Sequence, residues 1–144
     1  MKPEHLNFID TLTSIRKLRE RIMSNISLEL TDLSSRDFIA LSKICRNENR
    51  MMMSQLSEIT GMSNAHITAA VDSLERKGLV KRTRGEDRRS YNIELTESGR
   101  KRCQEIETIR MKSIDSFFEK MNEKDSMEFQ EALTKLNDLL RKYL

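Results

Sequence analysis

The sequence predicts a mainly α-helical fold with one small β-hairpin, and two observations lead to this fold class. All four glycines lie between residues 54 and 99, whereas the single proline is Pro3. Because glycine and proline interrupt regular structure, tight turns are expected in residues 54–99 and long uninterrupted helices on both sides. The second observation is that apolar residues in both flanks recur at steps of three and four, the period of an amphipathic helix.

The N-terminal third of the chain predicts two helices. Residues 5–28 carry one apolar stripe, which must bury against another part of the chain or against a second copy: Ile9, Leu12, Ile15, Leu18, Ile22 and Ile26. Ser34 is placed to cap the next helix, where its side chain would satisfy a free backbone N–H group. Phe38 and Cys45 lie on the apolar face of this second helix.

The centre of the chain predicts a helix-turn-helix. After a short candidate strand at residues 51–53, Ser54 is placed to cap a short helix that ends at Gly61. Ser63 is placed to cap a second helix, and Gly78 fits the position just past its end, where a left-handed backbone favours glycine. Two short helices joined by a glycine-containing turn are the helix-turn-helix pattern.

A β-hairpin is predicted directly after the second short helix. Residues 79–84 are a strand candidate, residues 85–88 are typical of a turn, and Tyr91, Ile93 and Leu95 alternate onto one face of a second strand. A hairpin that follows a helix-turn-helix is a wing, so the predicted architecture is a winged helix-turn-helix.

The C-terminal part of the chain predicts two further helices. Thr96 is placed to cap a long helix that runs to about Met121, and a last amphipathic helix follows it. One domain over residues 1–144 is therefore expected. It would contain a winged helix-turn-helix lobe at about residues 30–102 between long helices at about 1–29 and 103–144.

The charge distribution favours a polyanion as partner. The net charge is only +3, but residues 76–102 contain ten Lys or Arg and four Asp or Glu, a net +6, which leaves −3 for the remainder. One basic zone on a nearly balanced body is typical of a nucleic-acid-binding face. The alternative interpretation of the same zone is a solvated surface.

Other classes of protein are disfavoured. No apolar run approaches the roughly 18 residues that a membrane span needs, and the N-terminus lacks the apolar core of a signal peptide, so a cytosolic protein is expected. Two cysteines are too few for a disulfide framework, and neither histidine lies in a zinc-binding spacing, so no metal or other cofactor is expected. No nucleophile, base and orienting group are spaced as in an enzyme.

The second helix of the helix-turn-helix has the composition of a DNA-reading helix. Asparagine can pair with adenine, and alanine or a threonine methyl group can contact the thymine methyl group, in a major groove wide enough for a helix. Basic residues at the far end suit phosphates, and Ser54 of the preceding helix completes the predicted set. For His66 the alternative is a solvated imidazole. The predicted contacts are Ser54, Asn64, Ala65, His66, Thr68, Arg76 and Lys77.

The hairpin tip concentrates arginines. Arg84, Arg88 and Arg89 lie at or near the predicted turn, where an arginine can enter a narrow minor groove. Asp87 is expected to accept from the Arg89 guanidinium and fix its direction. The alternative for this pair is an ordinary surface ion pair, which contributes little to stability.

These motifs together resemble the MarR (multiple antibiotic resistance regulator) family. Asp87-Arg-Arg89, Leu95-Thr96 and Gly99 match its D-x-R and L-T-x-x-G signature, and residues 74–80 match its L-E-x-K-G-L-V segment. Residues 33–41 are similar to its L-T-x-x-Q-F-x-x-L motif, although Ser34 replaces the threonine and Asp37 replaces the glutamine. Further departures are Ser57, where alanine is usual, and the pair Ala69-Ala70 in place of an arginine-containing stretch.

The resemblance implies a homodimer whose long flanking helices interlock, so that two winged lobes bind one pseudo-palindromic operator. It also implies a transcriptional repressor that is released by a small aromatic or anionic ligand or by cysteine oxidation. The ligand cleft would involve residues 8–16, the Phe38–Cys45 helix and the start of the Thr96 helix. Arg16 and Phe38 are the residues expected there, and the alternatives are a solvated Arg16 and a core Phe38.

Neither cysteine lies near the start of the first helix, where oxidation-sensing members of the family carry theirs. Cys45 is interpreted as a core residue, because it falls on an apolar helical face. Cys103 follows three cationic residues, which can lower a thiol pKa, so it is the one redox candidate. Two other functions stay open, a non-specific architectural DNA-binding protein and a protein-interaction module, although the wing arginines argue against the second.

Overall fold

The computed structural model describes every residue except Met1 and Arg88. It confirms the predicted fold class, with helices in the flanks and centre and a small antiparallel sheet. The elements of the described chain are α1 (Pro3–Glu29), α2 (Ser35–Arg46), β1 (Arg50–Met52), α3 (Met53–Thr60), α4 (Asn64–Arg76), β2 (Val80–Arg84), β3 (Tyr91–Leu95), α5 (Glu97–Phe118) and α6 (Glu123–Tyr143). The chain divides into two compact units, one ending at Arg110 and the other spanning Met111–Leu144.

The first unit is built around a core that α2, α3, α4 and the sheet share. The strands are antiparallel in the order β1-β3-β2, with Met51 opposite Ile93 and Val80 opposite Leu95. The largest fully buried side chains come from α2, α3, α4, the sheet and the end of α1: Ile26, Leu41, Ile44, Leu56, Ile67, Val71, Leu74, Val80 and Ile93. Helix α4 is therefore packed against this core by one face.

The predicted caps mostly form. The Ser34 hydroxyl accepts the Asp37 N–H at 3.1 Å, and the Ser63 hydroxyl accepts the His66 N–H at 3.3 Å. The prediction for Ser54 as a cap is wrong, because α3 begins at Met53, which makes Met52 the cap residue. The Gln55 side chain instead accepts the N–H of Met52 at 3.0 Å. Ser54 is therefore exposed inside the first turn of the helix.

The L-T-x-x-G motif forms the junction between the wing and α5. The Thr96 hydroxyl donates to the carbonyl of Gly78 at 2.6 Å and accepts the N–H of Gly99 at 3.0 Å. The Thr96 N–H donates to the carbonyl of Leu79 at 3.1 Å. A Cβ atom on Gly99 would lie 1.9 Å from that same carbonyl oxygen, so only glycine fits where α5 passes the backbone.

The two cysteines form a disulfide, a pairing that was not predicted from the sequence. Cys45 of α2 and Cys103 of α5 are bonded, with their Cα atoms 5.8 Å apart. Cys45 is half-buried beside the core rather than a plain core residue, and Cys103 is a partner in this bond rather than an isolated thiol. The apolar period of α2 placed Cys45 on the correct face, but it contained no information about which element packs there.

Helix α1 buries only its last turns within the first unit. Ile26 is buried and Ile22 and Met23 are partly buried, whereas Phe8 is 61% exposed. Other apolar side chains of the N-terminal stripe are exposed as well: Leu6, Ile9, Leu12 and Ile15. The N-terminal part of the stripe is therefore not covered by the unit that contains it.

The second unit contains the end of α5 and all of α6. Phe117, Phe118 and Phe129 pack edge to face, with ring centroids 5.4 to 5.8 Å apart. Asn122 caps α6 by accepting the N–H of Asp125 at 2.8 Å. None of the residues of α6, all of which the structure describes, is buried.

Candidate nucleic-acid interface

Helix α4 presents a polar N-terminal end to solvent. The predicted base-contacting residues Asn64, Ala65, His66 and Thr68 are all exposed. The buried residues of the same helix, Ile67, Ala70, Val71 and Leu74, face the core. The amphipathic period thus fixes which face of α4 is outward, and the short polar side chains near the Ser63 cap lie on that face.

The far end of α4 is anchored to α2 by a buried carboxylate that the sequence did not single out for a site. Asp37 is only 3% exposed, and its Oδ2 accepts from the Ser73 hydroxyl at 2.7 Å and the Lys77 ammonium at 3.2 Å. Burial raises the pKa of Asp37, but the hydrogen bonds from Ser73, Lys77 and Ser34 outweigh it and hold the pKa below its ordinary value. The carboxylate is therefore charged and fixed at neutral pH.

Lys77 was expected at a phosphate, and the structure places its ammonium elsewhere. The Nζ atom also donates to the Ser73 hydroxyl at 2.8 Å, so two of its hydrogen bonds lie inside the lobe. Arg76, its neighbour, is exposed. The geometry gives Lys77 a positioning role in α4 and leaves Arg76 as the outward cation at this end.

The opposite side of α4 is tied to the wing through Arg82. Its guanidinium lies 2.5 Å from both the Asp72 and Glu75 carboxylates, and its backbone N–H donates to Glu75 at 3.1 Å. Burial lowers the pKa of Arg82, but the bonds to Asp72 and Glu75 raise it above the ordinary value. Strand β2 is thereby attached to the exposed side of α4, and the wing and reading helix keep a fixed relation.

The turn of the wing is closed by Asp87, although not as expected. Asp87 Oδ1 accepts the backbone N–H of Arg89 at 3.1 Å, whereas the prediction had it bind the guanidinium. The Asp87 carbonyl accepts from both the N–H and the hydroxyl of Ser90 at 2.9 Å. The carboxylate therefore shapes the backbone of the turn. Arg84 and Arg89 are exposed there, and the prediction for Arg88 lies outside the described residues.

A groove lies between the wing and the helix-turn-helix, and several of the predicted DNA-binding residues line it. Its volume is about 360 Å³. It is lined by Ser54 of α3, Asn64 and Thr68 of α4, Arg89 of the turn and Tyr91 of β3, among others. The structure thus brings four of the predicted residues together around one space, which we call the reading groove. Ala65, His66 and Arg76 are exposed on α4 but do not line it.

Tyr91 is a residue of this groove that the sequence did not indicate as functional. Alternation grouped it with Ile93 and Leu95 on an inward face, but Tyr91 is 45% exposed while Ile93 and Leu95 are buried. It pairs with Arg84 at the outer end of the sheet, where the core no longer extends. The sequence feature that could have indicated a role for Tyr91 is its position at the start of the strand, close in sequence to three arginines.

The two residues expected in a ligand cleft match their alternative interpretations. Arg16 is exposed and pairs with Glu20 at 3.2 Å along α1, and Phe38 is a core residue. Within the described residues no group of three potential ligands could hold a metal ion. No helix of the described chain is long and apolar enough to cross a membrane.

The helix-turn-helix, the wing tied to it and the groove between them define a winged helix-turn-helix DNA-binding protein. Comparisons with known proteins agree. Residues 33–91 match the model of the MarR family. The HTH-type transcriptional regulator YpoP of Bacillus subtilis is 29% identical over 85% of both chains. Over its winged helix-turn-helix lobe the chain is therefore similar to the MarR family of transcriptional regulators.

Solved structures of similar fold cover nearly the whole chain. The transcriptional regulator BldR of Sulfolobus solfataricus is 29% identical, with 99% of each chain covered and a TM-score of 0.68. FabT of Streptococcus pneumoniae, solved in complex with DNA, is 23% identical over 97% of this chain and 99% of its own, also with a TM-score of 0.68. The latter likeness shows the fold.

Proposed function

We propose that the protein is a homodimeric repressor that binds a pseudo-palindromic operator and is released by a small aromatic or anionic ligand. The observation that carries the DNA-binding part is the reading groove. It places Asn64 and Thr68 of the reading helix and Arg89 of the wing around one space that a DNA backbone can occupy. FabT, which shares the fold, was solved with DNA, and this supports the same use of the surface here.

Each predicted residue has a role in this proposal. Asn64, Ala65, His66 and Thr68 face the major groove, where side chains can read base edges. Arg76, at the end of α4, and Ser54 and Tyr91, in the reading groove, are exposed. They bind the phosphates that flank the bases read by α4. Arg84 and Arg89 of the wing enter the minor groove, and Arg88 stays a predicted DNA contact from the sequence. Lys77 and Asp87 hold the backbone that presents these side chains.

The dimer is supported by apolar surface that neither unit covers by itself. In α1 the exposed side chains include Phe8, Ile9 and Leu12. In α6 they include Leu133, Leu136 and Leu140, which recur at steps of three and four, together with Met127 and Leu139. Contiguous exposed apolar residues mark interaction surfaces in water. A second copy that covers both stripes would carry a second reading groove, which suits an operator of two half-sites about 34–36 Å apart.

The test is a DNA-binding titration with Arg89→Ala and the charge-matched control Arg21→Ala. Arg21 is an exposed arginine of α1, outside the reading groove. The probe is the upstream region of the protein's own gene, analysed by footprinting and then by fluorescence anisotropy. We expect a footprint with two half-sites and two chains per site. Arg89→Ala should weaken binding by about 5- to 150-fold, as loss of one specific contact removes about 1–3 kcal/mol.

The alternatives give different results in the same titration. A non-specific architectural protein would bind all duplexes with the same salt dependence and without a footprint. If Arg89→Ala binds as tightly as Arg21→Ala and the wild-type protein, the wing does not contact DNA. Exchange of His66 or Asn64 should change the preferred sequence, and a uniform loss of affinity would assign them to positioning instead.

A further inference from the structure

The wing borders a second cavity on the face opposite to the reading groove. This cavity has a volume of about 600 Å³ and lies among the α2–β1 loop, β1, the first turn of α3 and the turn of the wing. Tyr91 lines the reading groove, whereas the next residue, Asn92, lines this cavity. Because successive side chains of a strand point to opposite faces of a sheet, the two spaces lie on opposite faces of the wing. We call the second space the wing cavity.

The side-chain amide of Asn92 is buried in the wall of the wing cavity. Asn92 is 8% exposed and Asp37 is 3% exposed, and these are the two buried polar side chains of the described chain. Asp37 accepts from Ser73 and Lys77, whereas no described residue forms a hydrogen bond with the Asn92 amide group. Buried polar groups are normally paired, so this amide has hydrogen-bonding capacity for a molecule held in the cavity.

The wing cavity is acidic on two of its sides. Glu48 lines it from the α2–β1 loop, and Glu86 and Asp87 line it from the wing turn. Arg50 is the one cation of the described lining, and the Glu94 carboxylate, which is outside the lining, lies 3.5 Å from its Nε atom. Three carboxylates and one guanidinium give the described lining a formal net charge of −2. A concave acidic surface concentrates cations relative to bulk solvent.

The loop that carries Glu48 is held in an uncommon backbone conformation. Glu48 and Asn49 have positive φ angles of 52° and 65°, in a region that residues other than glycine seldom adopt. The Asn47 side chain donates to the Arg50 carbonyl at 3.0 Å, and the Asn49 carbonyl accepts the N–H of Leu95 at 2.9 Å. These bonds attach the loop to β1 and to the end of β3. The Glu48 carboxylate is therefore presented to the cavity from a fixed backbone.

Met52 gives the wing cavity an apolar part. It lies opposite Asn92 in the sheet and is 37% exposed. A thioether side chain is polarizable and adapts to a flexible alkyl chain. Within the described residues no group of three acidic, cysteine or histidine side chains could hold a metal ion. The lining therefore suits an organic cation with an alkyl segment better than a metal ion.

We propose that the wing cavity binds a short aliphatic oligoamine, a molecule whose ammonium groups are joined by methylene chains. The ammonium groups donate to Glu48 on one side of the cavity and to Glu86 and Asp87 on the other. One of them also donates to the amide oxygen of Asn92, and the methylene chain lies against Met52. The bound oligoamine links the α2–β1 loop to the wing turn. DNA binding uses the reading groove on the opposite face, so this site is additional to the proposed function.

The experiment is a nuclear magnetic resonance titration of the full chain, labelled with nitrogen-15 and free of DNA. The probes are spermidine, putrescine and magnesium chloride at matched ionic strength. We expect spermidine to shift the side-chain amide resonances of Asn92 and the backbone resonances of Glu48 and Glu86, with saturation at one molecule per chain. Putrescine has one ammonium group fewer, so it should bind about two- to fivefold more weakly, as for loss of one exposed ion pair. Magnesium should not displace spermidine at equal concentration, because it has no alkyl chain.

Single variants test the two sides of the cavity and its buried amide. Glu48→Gln and Glu86→Gln should each weaken spermidine binding about two- to fivefold. Glu58→Gln changes an exposed carboxylate of α3 outside the cavity and should leave the affinity unchanged. Asn92→Leu keeps the size of the side chain but removes the amide, so it should melt no lower than the wild-type protein and bind spermidine about two- to tenfold more weakly. Far-ultraviolet circular dichroism and thermal melting verify that each variant is folded.

Other outcomes overturn the proposal. If Glu58→Gln weakens spermidine binding as much as Glu86→Gln, or if magnesium displaces spermidine at equal concentration, the protein attracts polycations only by its general charge. Shifts that leave the Asn92 side-chain amide unaffected would place the oligoamine elsewhere on the surface. No sample contains DNA, so a failure of this proposal is distinct from a failure of the repressor function.

Discussion

Replacing Gly99 with alanine is expected to destabilise the protein, although the same change inside most helices stabilises them. Gly99 lies in the first turn of α5, where alanine would normally gain about 0.5–1 kcal/mol over glycine. Here the added Cβ atom would lie 1.9 Å from the Leu79 carbonyl oxygen, whereas an ordinary contact begins at 3.4 Å. The obstructing atom belongs to the backbone, so it cannot move aside by changing a rotamer.

The cost follows from what must move. Helix α5 or the segment at Leu79 has to shift by about 1.5 Å, and overpacking of this kind costs about 1–3 kcal/mol. The shift also breaks the hydrogen bond from the Thr96 N–H to the Leu79 carbonyl, which contributes about 1 kcal/mol. With the helix gain subtracted, we expect a net loss of about 2 kcal/mol in the free energy of unfolding.

Urea denaturation at one fixed protein concentration measures this difference. The midpoint of Gly99→Ala should fall by about 1 M relative to the wild-type protein. Ser98→Ala is the matched control, since Ser98 is exposed in the same turn and its change affects helix propensity alone. If Gly99→Ala unfolds at the same urea concentration as the wild-type protein or at a higher one, α5 does not pass the Leu79 backbone as closely as the structure indicates.

Two further predictions concern the internal links of the lobe. The pKa of Asp37 is lowered by folding, so its contribution is present above its unfolded pKa of about 3.9 and is lost as pH falls through the lower folded value. Asp37→Asn should cost about 2 kcal/mol at pH 7 and much less at pH 2 in urea titrations, and equal losses at both pH values would contradict the charged network. Cys103→Ser should cost the oxidised protein about 4 kcal/mol, from the entropy of a cross-link over 58 residues, and reduced wild-type protein should unfold with the variant. A Cys103→Ser protein as stable as the oxidised wild type would mean that the bond does not form in solution.

The parts of the fold that could be predicted depend on short-range rules. Ser34, Ser63 and Thr96 were identified as caps because a capping side chain binds an N–H group two or three residues ahead. The wing was recognised because its strands and turn adjoin in sequence. The Ser54 prediction missed the cap position by two residues: the cap is Met52, and its N–H is accepted by the Gln55 side chain from inside the helix. Local rules thus give the elements, and they give a helix's first residue unless a neighbouring side chain supplies a different cap, as at α3.

The links that position the site could not be predicted, because they join residues far apart in sequence. Asp37 meets Ser73 and Lys77 across 36 and 40 positions, and Cys45 meets Cys103 across 58. The local sequence around one partner contains no information that would predict its contact with the other. Asp37 lies in the first turn of α2, and its role in holding the reading helix emerges only when α2 and α4 are packed.

The basic zone shows how this limits functional inference from charge. Its cations were counted as one DNA-binding face, but Lys77 and Arg82 are directed to carboxylates inside the lobe, and Arg102 pairs with Asp32 and Glu105. Such ion pairs neutralise their own charge, so the field at the DNA surface comes from the cations that remain outward, such as Arg76, Arg84 and Arg89. Net charge in a sequence window therefore overstates the number of phosphates that can be neutralised. The salt dependence of operator binding should reflect the smaller outward set.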